Sequence, residues 1–335
     1  MTVTDRGVVF VNPRSGKDST SPADLAAHFP DHRVEQTPAH GLADRIRSAV
    51  DEGAAFIGTA GGDGTIRSGA EALLGGAVPL LPVPAGTRNH FARQLGIEDF
   101  PAAVRAASGR VEAVDVGEVN GHCFINNSAI GSYPEMVERR EAFQRRKLPK
   151  RLAQVLADVS QLARGDRFNV TIEGVGYRAW TIFVGNGHYG EDMLDLASRQ
   201  TLNQGVLDVR LVRADRFLAR TRVTASLMLG RLHRSPLVVQ RVVSEITFEF
   251  DTPTVEVALD GEVVTLDAPL RYRSRAGELR VLIQPESEDQ PRPPVLRRAR
   301  PDRPSAPRPG AEPPRGGPRR SVSGGAGPSP PQTRP

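Results

Sequence analysis

Residues 60–65 have the sequence Ala60-Gly61-Gly62-Asp63-Gly64-Thr65, and they separate two segments of different character. The apolar run Ala54-Ala55-Phe56-Ile57 before them predicts a buried strand, and residues 66–74 after them predict a helix. Glycines at such a turn let backbone N–H groups approach a phosphate, and the N-terminus of the following helix favours negative charge. Asp63 can then reach a phosphate-bound magnesium ion or a donor group of the nucleotide. The turn therefore indicates a protein that handles a nucleotide.

Other glycine patterns in the chain do not match the common nucleotide motifs. Residues 62–67 begin like the dinucleotide fingerprint, but Arg67 stands where its third glycine belongs. A Walker A loop fails because Asp18 follows Gly16-Lys17. One full G-x-G-x-x-G occurs at residues 185–190, in the middle of the chain and without a clear βαβ unit around it.

Strand-like and helix-like segments alternate through the first hundred or so residues. Strands are predicted at 8–11, 33–37, 54–59 and 78–83, and helices at 22–28, 42–52, 66–74, 88–95 and 101–107. This alternation is typical of a parallel sheet with helices on both faces. Ligands of such sheets bind outside the carboxyl ends of the strands, where Asn12, Thr37, Gly61 and Gly86 all fall. Independent segments thus point to one edge of one sheet.

The second half of the chain has a β-rich texture. Strands are predicted at 122–126, 167–173, 177–184, 206–212, 245–250, 254–259 and 278–283, with helices at 152–162 and 220–232. The fold class that we predict is therefore α/β: an N-terminal three-layer α/β nucleotide-binding domain and a C-terminal antiparallel β-sandwich domain. The expected boundaries are 1–115, 116–286 and a disordered Pro/Arg-rich tail at 287–335.

Four motifs in this order resemble the diacylglycerol kinase and sphingosine kinase family of lipid kinases, of the bacterial type. They are Asn12-Pro13-Arg14-Ser15-Gly16, Gly61-Gly62-Asp63-Gly64-Thr65, Pro84-Ala85-Gly86-Thr87-Arg88-Asn89-His90-Phe91-Ala92 and Asp260-Gly261-Glu262. The resemblance implies an ATP- and Mg²⁺-dependent kinase that transfers the γ-phosphate to a hydroxyl of a lipid such as diacylglycerol. It also leaves room for the last strand to return to the first domain.

The chain departs from this family at several positions. Arg67 and Ser68 replace the usual Asn-Glu, and His90 replaces an aspartate expected near the phosphates. Gln204 stands in a turn that holds a structural magnesium in some members, and an amide is a poorer magnesium ligand than a carboxylate. Two alternatives stay open: an enzyme similar to NAD kinase, and a pseudokinase that binds a nucleotide or lipid. The intact Asp260-Gly261-Glu262 favours activity.

The resemblance assigns the catalytic base to Asp260. A carboxylate followed by Gly261 in a turn can approach the γ-phosphate and take the hydroxyl proton. Side chains two residues apart in an extended segment point the same way, so Glu262 could share this role. The alternative is an ordinary Asp-Gly hairpin turn between residues 255–259 and 263–266.

The predicted nucleotide contacts come from all three N-terminal motifs. They are Asn12, Ser15, Gly16, Thr37, Gly61, Gly62, Asp63, Gly64, Thr65, Ile66, Arg67, Gly86, Thr87 and Asn89. Asp63 is the predicted metal contact, through ATP-bound magnesium. Arg67 either pairs with a phosphate or faces solvent, and Asn89 either orients Thr87 or caps the next helix. Thr37 and Thr87 match nucleotide contacts of the family, although threonine after a strand is also a common turn or cap residue.

The charge and composition of the chain limit the partners and the cellular location that we expect. The chain has 335 residues and a net charge of +5, yet residues 290–335 hold ten arginines and two acids, so the remainder is mildly acidic. That tail has few large apolar residues to bury. It either is a solvated extension or tethers the protein to anionic lipid or nucleic acid, with lipid favoured by the rest of the chain.

The basic stretch 139–151 also suits a membrane surface. We find no membrane-spanning run and no signal sequence, and we expect a cytoplasmic protein associated peripherally with the inner face of the membrane. Nucleic acid is not expected as a partner, and homo-oligomerisation stays open. The single cysteine, Cys123, is predicted to be a buried structural thiol.

Overall fold

The computed structural model describes residues 6–13, 21–37, 41–131, 167–190, 199–215, 237–286 and 293–296. Several sequence predictions lie outside these residues: the nucleotide contacts Ser15 and Gly16, the basic stretch 139–151, the helices at 152–162 and 220–232, and nearly all of the tail. Within the described part, the helices are α1 (Pro22–His28), α2 (Leu42–Asp51), α3 (Asp63–Leu73), α4 (His90–Gln94) and α5 (Phe100–Ala107). The strands are β1 (Val8–Val11), β2 (Arg33–Gln36), β3 (Ile57–Gly61), β4 (Leu80–Pro84), β5 (Arg110–Val119), β6 (His122–Phe124), β7 (Asn127–Gly131), β8 (Phe168–Ile172), β9 (Val175–Asn186), β10 (Leu207–Arg213), β11 (Val238–Val243), β12 (Glu245–Phe250), β13 (Thr254–Leu259), β14 (Glu262–Asp267) and β15 (Leu270–Ile283).

The first four strands form a parallel sheet in the order β2-β1-β3-β4. Strands β1, β3 and β4 are buried along their whole length, which is why they are runs of Val, Ile, Leu and small residues without alternation. Helix α2 packs against α3, and α1 packs against α5. The predicted α/β architecture of this half is confirmed.

Helix α3 begins three residues earlier than the sequence pattern predicts. Gly62 is its N-cap, with extended backbone, and Asp63 lies in the first turn, where a negative charge interacts favourably with the helix dipole. Asp63, Gly64 and Thr65 therefore belong to the helix rather than to a loop. Strand β3 is correspondingly shifted toward the turn and ends at Gly61.

The second half is built from antiparallel pairs. Strand β9 pairs with β8 through its first half, with β7 through its second half and with β10 on its other edge, while β13 joins β7 to β14. Phe124, Phe248 and Tyr272 pack in the hydrophobic core of this half, which confirms the predicted β-sandwich. Residues 185–190 end β9 and continue through isolated β-bridges, so they do not open a Rossmann turn.

Strand β15 is longer than predicted and joins two parts of the sheet. It pairs antiparallel with β12 and β5, and Val281 pairs in parallel with Leu80 of β4. The register with β5 shifts between Arg275 and Leu279. At this irregularity, the N–H of Gly277 donates to the buried carboxylate of Asp115 at 2.9 Å, and Gly205 donates to the same carboxylate at 2.6 Å. Burial raises the pKa of Asp115 even though these amides lower it.

Two further sequence predictions concern the burial of Cys123 and membrane-spanning segments, and both can be compared with the structure. Cys123 is buried in the core of the first half, as predicted, and burial raises the pKa of its thiol to about 12. The helices in the described part of the chain all lack the combination of length and apolar character that crossing a membrane would need.

Candidate active site

The turns after β3 and β4 are in close backbone contact. A Cβ atom at Gly86 would overlap the Cα of Gly62, so only glycine fits there without a shift of one turn. The Asn89 side chain closes the second turn by accepting from the N–H of Gly86 at 2.9 Å and donating to its carbonyl at 2.8 Å. Asn89 therefore orients Gly86 rather than Thr87, and it contributes no side-chain cap to α4.

The N-terminus of α3 is suited to hold phosphate oxygens. Its N-cap, Gly62, has no side chain to accept from the N–H groups of the first turn, so these donors remain available. At the end of β1, the Asn12 Nδ2 donates to the Thr65 hydroxyl at 3.2 Å. Together with the helix dipole, this arrangement fits the polyphosphate of a nucleotide.

Asp63 binds amide donors on the neighbouring turn. Its Oδ2 accepts from the N–H of His90 at 3.2 Å, and its Oδ1 accepts from the N–H of Phe91 at 3.1 Å and from the Asn126 Nδ2 at 3.2 Å. The part of the chain that the structure describes contains no group of three His, Cys, Asp or Glu side chains able to hold a metal ion. The metal role of Asp63 stays a prediction.

Three other predicted nucleotide contacts, Ile66, Thr37 and Thr87, differ in burial and in hydrogen bonding. The Ile66 side chain is fully buried and its N–H donates to the carbonyl of Gly62, so the structure does not support a nucleotide contact there. Thr37 donates both its N–H and its hydroxyl to the carbonyl of Val11, at 2.8 and 2.9 Å. Thr87 is exposed beside the second turn.

Arg67 does not face solvent. Its side chain is only 12% exposed, and its guanidinium forms an ion pair with Glu262 of the Asp-Gly-Glu motif. The solvent-facing alternative is therefore wrong. The ion pair links helix α3 of the first half to strand β14 of the second half.

Asp260 occupies the two-residue turn between β13 and β14. Asp260 and Gly261 have φ values of +51° and +96°, and Leu259 pairs with Glu262, as in a tight hairpin of the kind that Asp-Gly favours. The hairpin alternative is thus confirmed. It is compatible with a catalytic role because the turn directs the Asp260 carboxylate toward the turn between β6 and β7.

Three consecutive backbone N–H groups hold that carboxylate. The Asp260 Oδ2 accepts from Ile125 at 2.8 Å, and Oδ1 accepts from Asn126 at 2.7 Å and from Asn127 at 3.1 Å. Burial raises the pKa of Asp260 to about 6, while the three amides and the charge of Arg67 act in the opposite direction. A carboxylate has about four acceptor sites, so one site on Oδ2 remains for a proton donor.

Glu262 has different surroundings from Asp260. Its side chain is 60% exposed and pairs with Arg67, whereas Asp260 contacts the amides of residues 125–127. The expectation that both carboxylates point the same way required an extended backbone, and Asp260 is instead in the left-handed region. The structure therefore places the two carboxylates in different surroundings, and the catalytic roles of Asp260 and Glu262 stay predictions.

The residues that hold Asp260 were not predicted from the sequence. Ile125 and Asn126 form the turn between β6 and β7, Asn127 begins β7, and the guanidinium of the buried Arg199 donates to the Ile125 carbonyl at 2.8 Å. No sequence signal was available for this turn, because it holds the carboxylate with main-chain groups that every residue other than proline possesses.

Two protein families and several named relatives match this chain. Residues 6–119 match the family Diacylglycerol kinase catalytic domain, and residues 134–283 match the YegS C-terminal NAD kinase beta sandwich-like domain. A protein of Pseudomonas fluorescens named "Probable lipid kinase YegS-like" is 29% identical over 266 residues, which cover 77% of this chain and 87% of that protein. A protein of the same name from Cronobacter sakazakii is 28% identical over 235 residues, covering 65% and 74%.

The fold also matches a solved structure. A crystal structure from Bacillus anthracis str. Sterne, described as a "putative diacylglycerol kinase", superposes with a TM-score of 0.61 at 24% identity, covering 84% of this chain and 97% of that one. The matched catalytic domain and the names of these relatives identify a lipid kinase. The chain combines a diacylglycerol kinase catalytic domain with a YegS-type C-terminal domain.

Proposed function

We propose that this protein transfers the γ-phosphate of ATP to a hydroxyl group of a membrane lipid such as diacylglycerol, with Asp260 as the general base. The observation that supports this most strongly is the Asp260 carboxylate itself. It is held by three amides, retains one open acceptor site on Oδ2, and has a pKa of about 6. Such a group is ionised at neutral pH and still basic enough to accept a proton.

ATP is proposed to bind at the carboxyl ends of β3 and β4. The amides of the first turn of α3 would hold phosphate oxygens, with Gly62 and Gly86 allowing close approach and Asn12 and Thr65 beside them. Magnesium, when bound with ATP, neutralises the charge that develops on the transferring phosphoryl group. Its protein contact is proposed to be Asp63.

The proposed reaction has one proton to move. The lipid hydroxyl loses its proton to the Asp260 carboxylate as its oxygen bonds to the γ-phosphorus, and the bond from that phosphorus to the bridging oxygen of ADP breaks. Hydrogen bonds from the three amides hold the carboxylate in place and favour its ionised form, so that it can accept the proton of the lipid hydroxyl. The products are ADP, a phosphorylated lipid and protonated Asp260.

The membrane setting is part of the same proposal. A lipid hydroxyl is presented at a bilayer surface, so the enzyme is proposed to work peripherally at the inner face of the cytoplasmic membrane. The ten arginines of residues 290–335 support this setting, since each basic residue near an anionic surface adds about 1 kcal/mol of attraction.

The experiment is transfer of labelled phosphate from ATP and Mg²⁺ to a panel of acceptors in mixed micelles. The panel contains diacylglycerol, a sphingoid base, phosphatidylglycerol and a glycolipid, with soluble NAD as a further acceptor. We expect label on one lipid class and none on NAD. Label on NAD alone would replace the proposal by an enzyme similar to NAD kinase, and ATP binding without transfer to any acceptor would favour a pseudokinase.

A further inference from the structure

Asn126 is at the centre of the turn that holds Asp260, and its main-chain groups are all engaged. It is 3% exposed. Its N–H donates to the Asp260 Oδ1 at 2.7 Å, while its carbonyl accepts from the Tyr189 hydroxyl at 2.8 Å and from the N–H of Asn186 at 2.9 Å. Hydrogen bonds from Asn186, at the end of strand β9, and from Tyr189, shortly after it, therefore hold this turn in position.

The side chain of Asn126 extends toward Asp63, in the first turn of helix α3. Its Nδ2 donates to the Asp63 Oδ1 at 3.2 Å, and its Oδ1 accepts from the Arg199 Nη2 at 2.6 Å. A guanidinium can only donate and a carboxylate can only accept, so these two partners determine which way the amide points. Only a side chain with both a donor and an acceptor satisfies both neighbours.

Arg199 keeps this amide in place. It is 4% exposed, its Nη1 donates to the carbonyl of Ile125 at 2.8 Å, and its guanidinium lies 5.6 Å from the centroid of the Tyr189 ring. Among the described residues, no carboxylate forms an ion pair with it. A buried guanidinium is costly unless its hydrogen bonds are made, so the Ile125–Asn126 turn has one strongly favoured position around it.

We propose that Asn126, oriented by Arg199, is a positioning residue that couples the nucleotide loop to the base: it joins Asp63 at the phosphate turn to Asp260 at the acceptor hydroxyl. The inference rests on the kinase reaction proposed above. The side-chain amide and the backbone N–H of this one residue set the distance between the carboxylates of Asp63 and Asp260. The geometry of phosphate and base is thus fixed together rather than separately.

The test compares Asn126→Ala with Thr181→Val. Thr181 is equally buried, and its hydroxyl donates to the Ile130 carbonyl at 3.0 Å, away from both carboxylates, so its loss serves as a control that removes one buried hydrogen bond where Asn126→Ala removes two. We expect Asn126→Ala to raise KM for ATP and to lower kcat by about 10- to 100-fold, because small misplacement of reacting groups is costly. Thr181→Val should change neither.

A pH profile separates positioning from simple loss of stability. Loosening the amides around Asp260 removes hydrogen bonds that favour its charged form, so its pKa should rise. The acid limb of kcat should then move to higher pH in Asn126→Ala and stay in place in Thr181→Val. Both variants keep Arg67 of α3, whose positive charge lowers the pKa of Asp260.

Arg199→Lys provides a second variant if Asn126→Ala does not fold. It keeps the charge but cannot donate to both the Ile125 carbonyl and the Asn126 Oδ1 in the same geometry, so it should move kcat and the acid limb in the same direction. Unchanged kinetics and pH profile in a folded variant of either residue would overturn the inference. Losses of activity that merely follow the unfolded fraction of the variant, with KM, kcat per folded enzyme and the pH profile unchanged, would overturn it too.

One measurement does not depend on turnover. Binding of a non-hydrolysable ATP analogue, followed by calorimetry, should weaken several-fold in Asn126→Ala, and the carboxyl carbon of Asp260, followed by NMR, should titrate at higher pH. If wild type phosphorylates no acceptor but both shifts occur, the proposed function fails while the coupling stands. If neither shift occurs, the coupling is wrong whatever the reaction.

Discussion

The two turns that form this site use the same chemical groups and differ in how visible they are in the sequence. The turn at Gly61–Thr65 presents N–H groups at a helix N-terminus and is marked by three glycines and an aspartate. The turn at Ile125–Asn127 presents N–H groups to Asp260 and has no compositional mark. Glycine is needed where two backbones approach, as Gly86 approaches Gly62, and it is not needed where a side chain reaches amides that are already exposed.

The largest expected effect would test whether the unmarked turn serves catalysis. Asp260→Asn removes the base and places an NH₂ group against at least one N–H donor of the turn, so we expect a loss of about 100- to 10,000-fold in kcat. Asp267→Asn, at the exposed far end of β14, is the matched control and should retain wild-type activity. Activity near wild type in Asp260→Asn would mean that this turn only closes a hairpin.

An intermediate effect is expected at the glycine-marked turns. In Gly86→Ala, the new methyl group overlaps Gly62, so one turn must move, and we expect KM for ATP to rise about tenfold. Gly176→Ala is the control, because a Cβ there meets no atom within 4 Å and its φ is not in the left-handed region. Steady-state kinetics with varied ATP measures both, and equal KM values would contradict the close-packed phosphate site.

The smallest expected effect concerns the ion pair that joins the two halves. Arg67 lowers the pKa of Asp260, so Arg67→Gln should raise that pKa and move the acid limb of kcat/KM upward by a fraction of a pH unit. Glu262→Gln leaves the arginine charge unneutralised and should not move the limb upward. A large loss of kcat in Glu262→Gln would instead return Glu262 to the catalytic group.

The fold was largely predictable from the sequence because the deciding signals are local. The buried runs of β1 and β4 and the helices between the first strands appear as hydrophobic patterns, and all were predicted within a few residues. Strands β5, β7 and β11 were missed. Strand β15 was predicted only at its C-terminal end, because its first part owes its strand conformation to pairing with β12 and β5.

In the candidate site, the sequence predicted only the residues that a motif marks. Asp260, Asp63 and Gly86 were found because a motif marks them, whereas Asn126 and Arg199 were not. Arg199 lies 73 residues from Asn126, and their hydrogen bond exists only once the β-sandwich has formed. The burial of the Ile66 side chain was not predicted for a related reason, since a position within a motif does not reveal that its side chain belongs to the core.

The pH dependence of phosphoryl transfer by wild type and Asp260→Asn tests the central claim most directly. If Asp260 is the base, kcat/KM should rise as the pH increases through about 6, the pKa of its carboxyl, because only the deprotonated form accepts the hydroxyl proton. The residual activity of Asp260→Asn should lack that limb. A wild-type profile that is flat from about pH 5 to 7.5, or the same limb in both proteins, would contradict the assignment of Asp260 as the base.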